Sequence, residues 1–291
     1  MKARGNDGSA PLQPPSRALM RLFAVYLSWY VPRHFHAVCI AHRPQLFNAS
    51  SATIIYLNHA SWWDPLTCML LARRFFPGHA HFAPMDAEAL AHYPLLARMG
   101  MFPVEQGTRR GAAQFLHAAT QILERPKSIL WITPQGAFRD VRSRPLLLKP
   151  GLAALLKCNP EATVLPMAIE YTFWNERLPE VLIHAGEPLQ LMPSASAQWI
   201  DEELASALTR AQDELAGLAA ARNPAAFETL LAGAAGVGLA YDVWRWMRAM
   251  VKRQRYQAEH GSPREKRDLE SGFKEFASSP VLPSEKEAPR Q

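Results

Sequence analysis

His59 and Asp64 stand five residues apart in the stretch Leu57-Asn58-His59-Ala60-Ser61-Trp62-Trp63-Asp64-Pro65. An imidazole has an ordinary pKa near 6.5, so it accepts a proton close to neutrality. A carboxylate on its far ring nitrogen fixes the tautomer and stabilises the imidazolium as it forms. Such a pair suits removal of a proton from a hydroxyl as that hydroxyl attacks a thioester, a step to which a placed base contributes about 10²–10⁴-fold. No serine or cysteine nucleophile is then required. On spacing alone, the pair is also what a loop histidine ahead of a helix-capping aspartate looks like.

The surrounding sequence predicts how the pair is held. Thr53–Leu57 is a short apolar strand and Trp63–Phe75 a helical run. A strand end opening onto a helix start is where α/β sheets place ligands. Further strands are predicted at residues 38–41, 79–83, 101–104, 128–132, 163–171 and 180–185. Helices are predicted at 17–32, 87–98, 108–124 and 151–158. Strands alternating with helices predict an α/β domain with a largely parallel or mixed sheet. Beyond Pro193 the pattern is helical only, over residues 195–221 and again over about 242–256. The expected organisation is a disordered lead over 1–16, an α/β domain over 17–190, a helical C-terminal extension over 191–258 and a disordered tail over 259–291.

Composition bounds the chemistry. The chain has 291 residues, 48% of them hydrophobic, which supports a sizeable core. Its net charge of +6 favours an anionic partner. Three cysteines (Cys39, Cys68 and Cys158) form no disulfide framework and point to a reducing compartment. The polar, Pro-rich start shows no secretory leader. The apolar segment from Ala18 to Val31 is shorter than the roughly 20 residues that span a bilayer. It also carries Arg21, whose burial at mid-membrane would cost about 2.5–3.5 kcal/mol. Residues 17–32 are therefore expected to be an interfacial helix.

A second surface-seeking face is predicted near the C-terminus. Val243, Trp244, Met247, Met250 and Val251 share one helical side, with Arg245, Arg248, Lys252 and Arg255 on the other. Packing onto the domain with a solvated basic side is the alternative. The pairs His34/His36 and His79/His81 have no Cys-x-x-Cys or carboxylate cluster to complete a site, so no metal is expected. No nucleotide-binding loop, nucleophile elbow or nucleic-acid module is present, so no nucleic-acid partner is expected.

Asn58-His59-Ala60-Ser61-Trp62-Trp63-Asp64-Pro65 resembles the first motif of the glycerolipid acyltransferase family, the lysophosphatidate acyltransferase-like enzymes. Three later stretches follow in that family's order. Gly100-Met101-Phe102-Pro103-Val104-Glu105-Gln106 falls at the second motif and Thr133-Pro134-Gln135-Gly136 at the Phe-Pro-Glu-Gly-Thr-Arg motif. Val164-Leu165-Pro166-Met167-Ala168 resembles the fourth. Lys149-Pro150-Gly151 resembles the basic-Gly stretch after the third. The resemblance covers roughly residues 17–190. It implies a mixed sheet with flanking helices of the glycerolipid acyltransferase type and an O-acyltransferase at the cytoplasmic face of a membrane, peripheral or monotopic. It implies His59 as base, Asp64 as its partner, a membrane lipid surface as partner, and acyl-carrier protein or coenzyme A thioester as co-substrate, with no further cofactor. Asn58 and Ser61 would shape the loop. Gln106, Arg109, Arg110, Pro134, Gln135, Gly136 and Arg139 would meet acceptor or carrier, and backbone N–H groups around Gly136 are candidates to hold the oxyanion, a tight turn there being the alternative.

The departures carry information too. Gln106 stands where the family's second motif ordinarily ends in arginine. In the third motif Gln135 replaces Glu, Ala137 replaces Thr and Phe138 replaces Arg, with Arg139 one position later. A guanidinium matches a phosphate bidentately, whereas a glutamine amide does not. Arg109, Arg110, Arg139, Arg142 or Arg144 could take over that task. The simpler expectation is a neutral acceptor, such as a glycolipid or glycosylated terpenoid. A conventional lysophospholipid acyltransferase and a catalytically silent lipid-binding protein are the rival readings.

Overall fold

The computed structural model describes residues 12–41, 52–192 and 194–234. Two units divide the chain: Met1–Trp174 with Leu178–Ala234, and Asn175–Arg177 with Ala235–Gln291. The first unit is built on eight strands: β1 Ala37–Ala41, β2 Thr53–Leu57, β3 Ala80–Asp86, β4 Met101–Val104, β5 Ser128–Ile132, β6 Thr163–Thr172, β7 Glu180–Ala185 and β8 Phe227–Ala232. They form one sheet in the order β4-β3-β5-β2-β6-β7-β1-β8. The run from β4 to β6 is parallel. β7 is antiparallel to β6, and β8 is antiparallel to β1. The sheet is mixed, as the alternation of apolar runs and helical patterns predicts.

Central strands need apolar residues on both faces because helices cover both. Every residue of β2 and β5 is buried. Ile54 and Tyr56 point to one side, where they meet helices α5 (Arg109–Leu123), α6 (Gly151–Cys158) and α7 (Ala197–Ala221) through Phe115, Leu155 and Leu204. Ile55 and Leu57 point to the other, against α1 (Arg17–His34) and α2 (Asp64–Phe75) through Leu27 and Leu71. The Tyr56 hydroxyl donates to the Leu204 carbonyl at 2.9 Å, tying the strand that carries the site to α7. Local signals start the long helices: the Thr108 and Ser196 hydroxyls accept from Gly111 N–H and Trp199 N–H.

Several details depart from the sequence reading. Helix α1 runs two residues further than expected, to His34. The helix expected over 87–98 is two, α3 (Ala87–His92) and α4 (Pro94–Ala97), because Pro94 has no N–H to continue the first and starts the second instead. Residues 12–16, expected within the disordered lead, are held to the domain: Ser16 N–H donates to the Arg98 carbonyl at 2.8 Å, and Arg125 reaches the Leu12 carbonyl at 2.9 Å. Strand β8 lies in a stretch read as helical. It pairs along the open side of β1, whose backbone groups would otherwise be an unpaired edge. The basic helix expected over 242–256, the tail over 259–291 and residues 1–11 of the lead lie outside the described residues. Among the described residues, no helix is long and apolar enough to cross a membrane.

Candidate active site

Strand β2 ends at Leu57, opposite Met167 of β6. Asn58 follows, only 1% exposed. Its amide Nδ2–H donates to the Ile169 carbonyl at 2.9 Å, and its Oδ1 accepts from Ile169 N–H at 2.8 Å. This two-point clamp continues the β2–β6 pairing one step past the strand and launches the loop in a fixed direction. Asn58 thus shapes the loop from below and has no surface for a substrate.

Asp64 opens α2, with Pro65 in the first turn, and is 1% exposed. Three donors meet its carboxylate. His59 Nδ1 lies 2.8 Å from Oδ2, Ser61 N–H donates to the same oxygen at 3.1 Å, and the Tyr171 hydroxyl donates to Oδ1 at 2.7 Å. The helix N-cap is Trp63, with no side-chain cap bond. Asp64 therefore does not cap the helix; it holds the imidazole. A carboxylate accepts only, so His59 Nδ1 carries the proton and Nε2 keeps its lone pair. The Ser61 hydroxyl accepts from Trp63 N–H at 3.3 Å and rounds off the turn between the two residues.

The Pro134–Arg139 loop grips the other side of His59. Gln135, buried beside it, accepts His59 N–H on Oε1 at 2.8 Å, and Arg139 N–H donates to the His59 carbonyl at 2.8 Å. The Pro134 carbonyl accepts Lys149 N–H at 2.8 Å. The third motif thus positions the histidine of the first. The Phe138 ring, 58% exposed, lies 4.4 Å from the imidazole, centroid to centroid.

Gly136 has φ +64, a conformation glycine adopts freely. Its N–H donates to the Thr133 carbonyl at 3.0 Å and closes a turn. That hydrogen bond removes Gly136 N–H from the candidates for an oxyanion donor. The Lys149 side chain lies over Gly136, filling the place a Cβ would take, and its ammonium donates to Gln106 Oε1 at 2.8 Å. Gln106 is thereby engaged by the chain itself. Arg109 and Arg110 stand exposed at the start of α5, Arg110 Nε being 3.7 Å from Glu105. The Arg139 side chain is exposed as well.

Tyr171 and Lys149 were not foreseen as parts of this arrangement. Lys149 carried a signal, the basic residue before Pro150-Gly151. Tyr171 carried none: it is one residue near the end of a strand, brought to Asp64 by the β2–β6 pairing. Burial and the neighbouring Asp64 carboxylate push the Tyr171 hydroxyl far up, so it stays a neutral donor. Three of the four His-x-His histidines hold a ring partner within the fold, and His79 Nδ1 is buried without one. His34 Nδ1 meets the Tyr30 carbonyl, and His81 Nδ1 accepts from the Trp131 indole at 3.1 Å.

The family model described as Acyltransferase matches residues 39–170, which contain His59, Asp64 and Gln135. No curated protein matches the chain. Among solved structures, the 1-acyl-sn-glycerophosphate (LPA) acyltransferase PlsC from Thermotoga maritima superposes with a TM-score of 0.48 at 14% identity, over 69% of this chain and 79% of that one. A pilus retraction motor with bound ADP superposes with a TM-score of 0.29 at 10% identity, over 77% of this chain and 66% of that one.

Proposed function

We propose, from the acyltransferase family to which residues 39–170 belong, that this protein moves a fatty acyl group from acyl-coenzyme A or acyl-carrier protein to a hydroxyl of a membrane lipid. One observation carries the reading: His59, held at Nδ1 by Asp64 at the carboxyl end of a central parallel strand, keeps Nε2 without a hydrogen-bond partner among the described residues. Nε2 takes the acceptor's hydroxyl proton as that oxygen attacks the thioester carbonyl. The C–O bond forms, the carbonyl becomes a tetrahedral oxyanion, and its collapse breaks the C–S bond. His59 returns the proton to the departing thiolate, leaving an ester and a free thiol. Asp64 stabilises the imidazolium between those two transfers.

The acceptor in this reading is neutral, a glycolipid or glycosylated terpenoid. Gln106 lies under the Lys149 ammonium, Gln135 is buried against the His59 backbone, and Phe138 covers the imidazole. None of the three offers a phosphate a cationic fork. A lysophosphatidate acceptor is the second reading, favoured by the exposed Arg109 and Arg110 at the start of α5.

The reaction takes place at the cytoplasmic face of a membrane, with the protein peripheral or monotopic. Leu22, Val25, Tyr26 and Trp29 of α1 are exposed, from 43% to 69%, while Leu27 and Val31 on its other side are buried. Aromatic contacts run from Tyr26 through Tyr30 and Trp63 to the exposed Trp62, three residues from His59. Arg21, Arg33, Arg73 and Arg74 are exposed on the same two helices. Aromatic and apolar side chains with a basic fringe suit an acidic lipid interface.

The test is acyl transfer by purified protein and by His59→Ala. Radiolabelled acyl-coenzyme A and acyl-carrier protein are offered against lysophospholipids, glycolipids and extracted membrane lipid. Transfer that is lost in the variant supports the reading. Transfer unchanged in the variant, or lipid binding with no transfer to any acceptor, refutes it.

A further inference from the structure

A cleft of about 290 Å³ opens on the α7 side of the sheet, between the loop after the third motif and strand β6. Arg142 and Arg144 of that loop form one wall, Gln212 and Asp213 of α7 another, and Glu170 of β6 lies between them. The cleft shares its supports with the catalytic pair. Arg139, whose N–H holds the His59 carbonyl, begins the loop. Ile169, which Asn58 clamps, precedes Glu170. Tyr171 faces Asp64, so Glu170 points to the opposite face of the same strand.

Two basic residues suggest a phosphate, but each guanidinium is already paired with a carboxylate. Arg142 meets both oxygens of Asp140, through Nε at 2.8 Å and Nη2 at 2.7 Å. Arg144 donates to the Val141 and Ser143 carbonyls through Nη1 and to Asp213 through Nη2. Glu170 adds a third carboxylate against these two cations. It is half-buried, with no hydrogen-bond partner among the described residues, and burial pushes its carboxyl up against the pull of Arg142. Behind it, Gln212 is 5% exposed. Its Nε2–H donates to the Val141 carbonyl at 3.1 Å, while its Oε1 is buried without a partner. The cleft thus presents the Glu170 carboxylate and sets three carboxylates against two guanidiniums.

We propose that this cleft seats the sugar of a neutral glycolipid acceptor, with Glu170 accepting from its ring hydroxyls. Hydroxyls are the fitting ligand because each donates to a carboxylate oxygen and still accepts from an N–H that Arg142 or Arg144 does not spend on its own carboxylate. A phosphomonoester brings acceptors and negative charge to a wall that already has both. Leu215 and Ala216 give the ring an apolar floor. The size is at the low end of small-molecule pockets and suits a single ring rather than an acyl chain.

This proposal rests on the acyltransferase reading, and the experiment separates the two. A monoacyl hexosyl-glycerol and lysophosphatidate are titrated in mixed micelles against the full chain, Glu170→Gln and Ala216→Phe, with acyl transfer measured in parallel. Glu170→Gln keeps the shape and removes the charge. Ala216 is exposed, so the phenylalanine fills the cleft without disturbing the core. We expect the hexosyl lipid to bind more tightly than lysophosphatidate, and each variant to weaken it by about tenfold, or about 1.4 kcal/mol. Tighter binding of lysophosphatidate, or hexosyl binding within twofold of the parent in both variants, overturns the cleft proposal. Hexosyl binding that follows the variants while no acyl transfer occurs overturns the acyltransferase reading alone.

Discussion

The Tyr171 hydroxyl donates to Asp64 Oδ1 at 2.7 Å, on the opposite side of the carboxylate from His59. A buried carboxylate must have its lone pairs met, and each hydrogen bond to such a charge is worth about 1.5–3 kcal/mol. Tyr171→Phe leaves Asp64 Oδ1 without this donor, so the carboxylate that orients His59 is held from one side only. The expected result is a kcat lowered about tenfold with KM for the lipid unchanged. Asp64→Asn is expected to cost on the order of 10³–10⁴-fold, because an amide can leave the imidazole in the other tautomer. Steady-state rates from pH 5 to 9 check both. A Tyr171→Phe kcat within twofold of the parent removes the residue from the support of the catalytic pair.

Gln135 fixes the backbone of His59 and not its ring. Gln135→Glu keeps an oxygen at the same place and is expected to retain transfer within about tenfold, since a charged acceptor bonds an N–H more strongly while its burial costs some stability. Gln135→Leu leaves His59 N–H without an acceptor, a loss of about 1–3 kcal/mol. Thermal unfolding and kcat should both fall for leucine, and kcat should fall further than the stability change alone explains.

Much of this arrangement was legible in the sequence for one physical reason. The central strands are buried on both faces, so β2 and β5 read as apolar runs at their observed bounds. The reading failed where partners lie far away in the chain. Phe227–Ala232 follows an alanine-rich helix, and nothing local separates it from more helix. It is a strand because Ile40 and its neighbours, some 190 residues earlier, offer an open edge. Tyr171 escaped for the same reason, since its partner Asp64 is 107 residues distant. Gln135 was visible as a departure from the family's glutamate, but its bond to the His59 backbone needs the two loops in place.

His81 supplies a pH prediction. Burial pushes its pKa down from 6.5 to about 4, and its Nδ1 must stay unprotonated to accept the Trp131 indole N–H. The unfolded chain takes up this proton near pH 6.5 and the folded one only near 4. Stability from this group is therefore complete above about pH 6.5 and falls as pH drops towards 4, by on the order of 3 kcal/mol in all. Urea midpoints at pH 7 and pH 4.5 should differ less in His81→Gln than in the parent, because a glutamine oxygen keeps the acceptor and does not titrate in this range. An unchanged difference shows that other groups govern the acid loss.

Gly136 links the second and third motifs through Lys149. Its φ of +64 costs an L-residue about 1–2 kcal/mol. A Cβ there would also stand 2.3 Å from Lys149 Cε and 2.5 Å from Nζ. The lysine is flexible and can move, but moving lifts its ammonium from Gln106. Gly136→Ala is thus expected to lower stability by about 1–2 kcal/mol and to free both Lys149 and Gln106. Lys149→Met tests the second effect without the backbone strain: it frees Gln106 while leaving the Gly136 turn intact. If the freed Gln106 matters to the acceptor, both variants change KM for the lipid in the same direction and leave KM for the thioester alone. A KM shift in Gly136→Ala only would assign the effect to the turn beneath His59 instead.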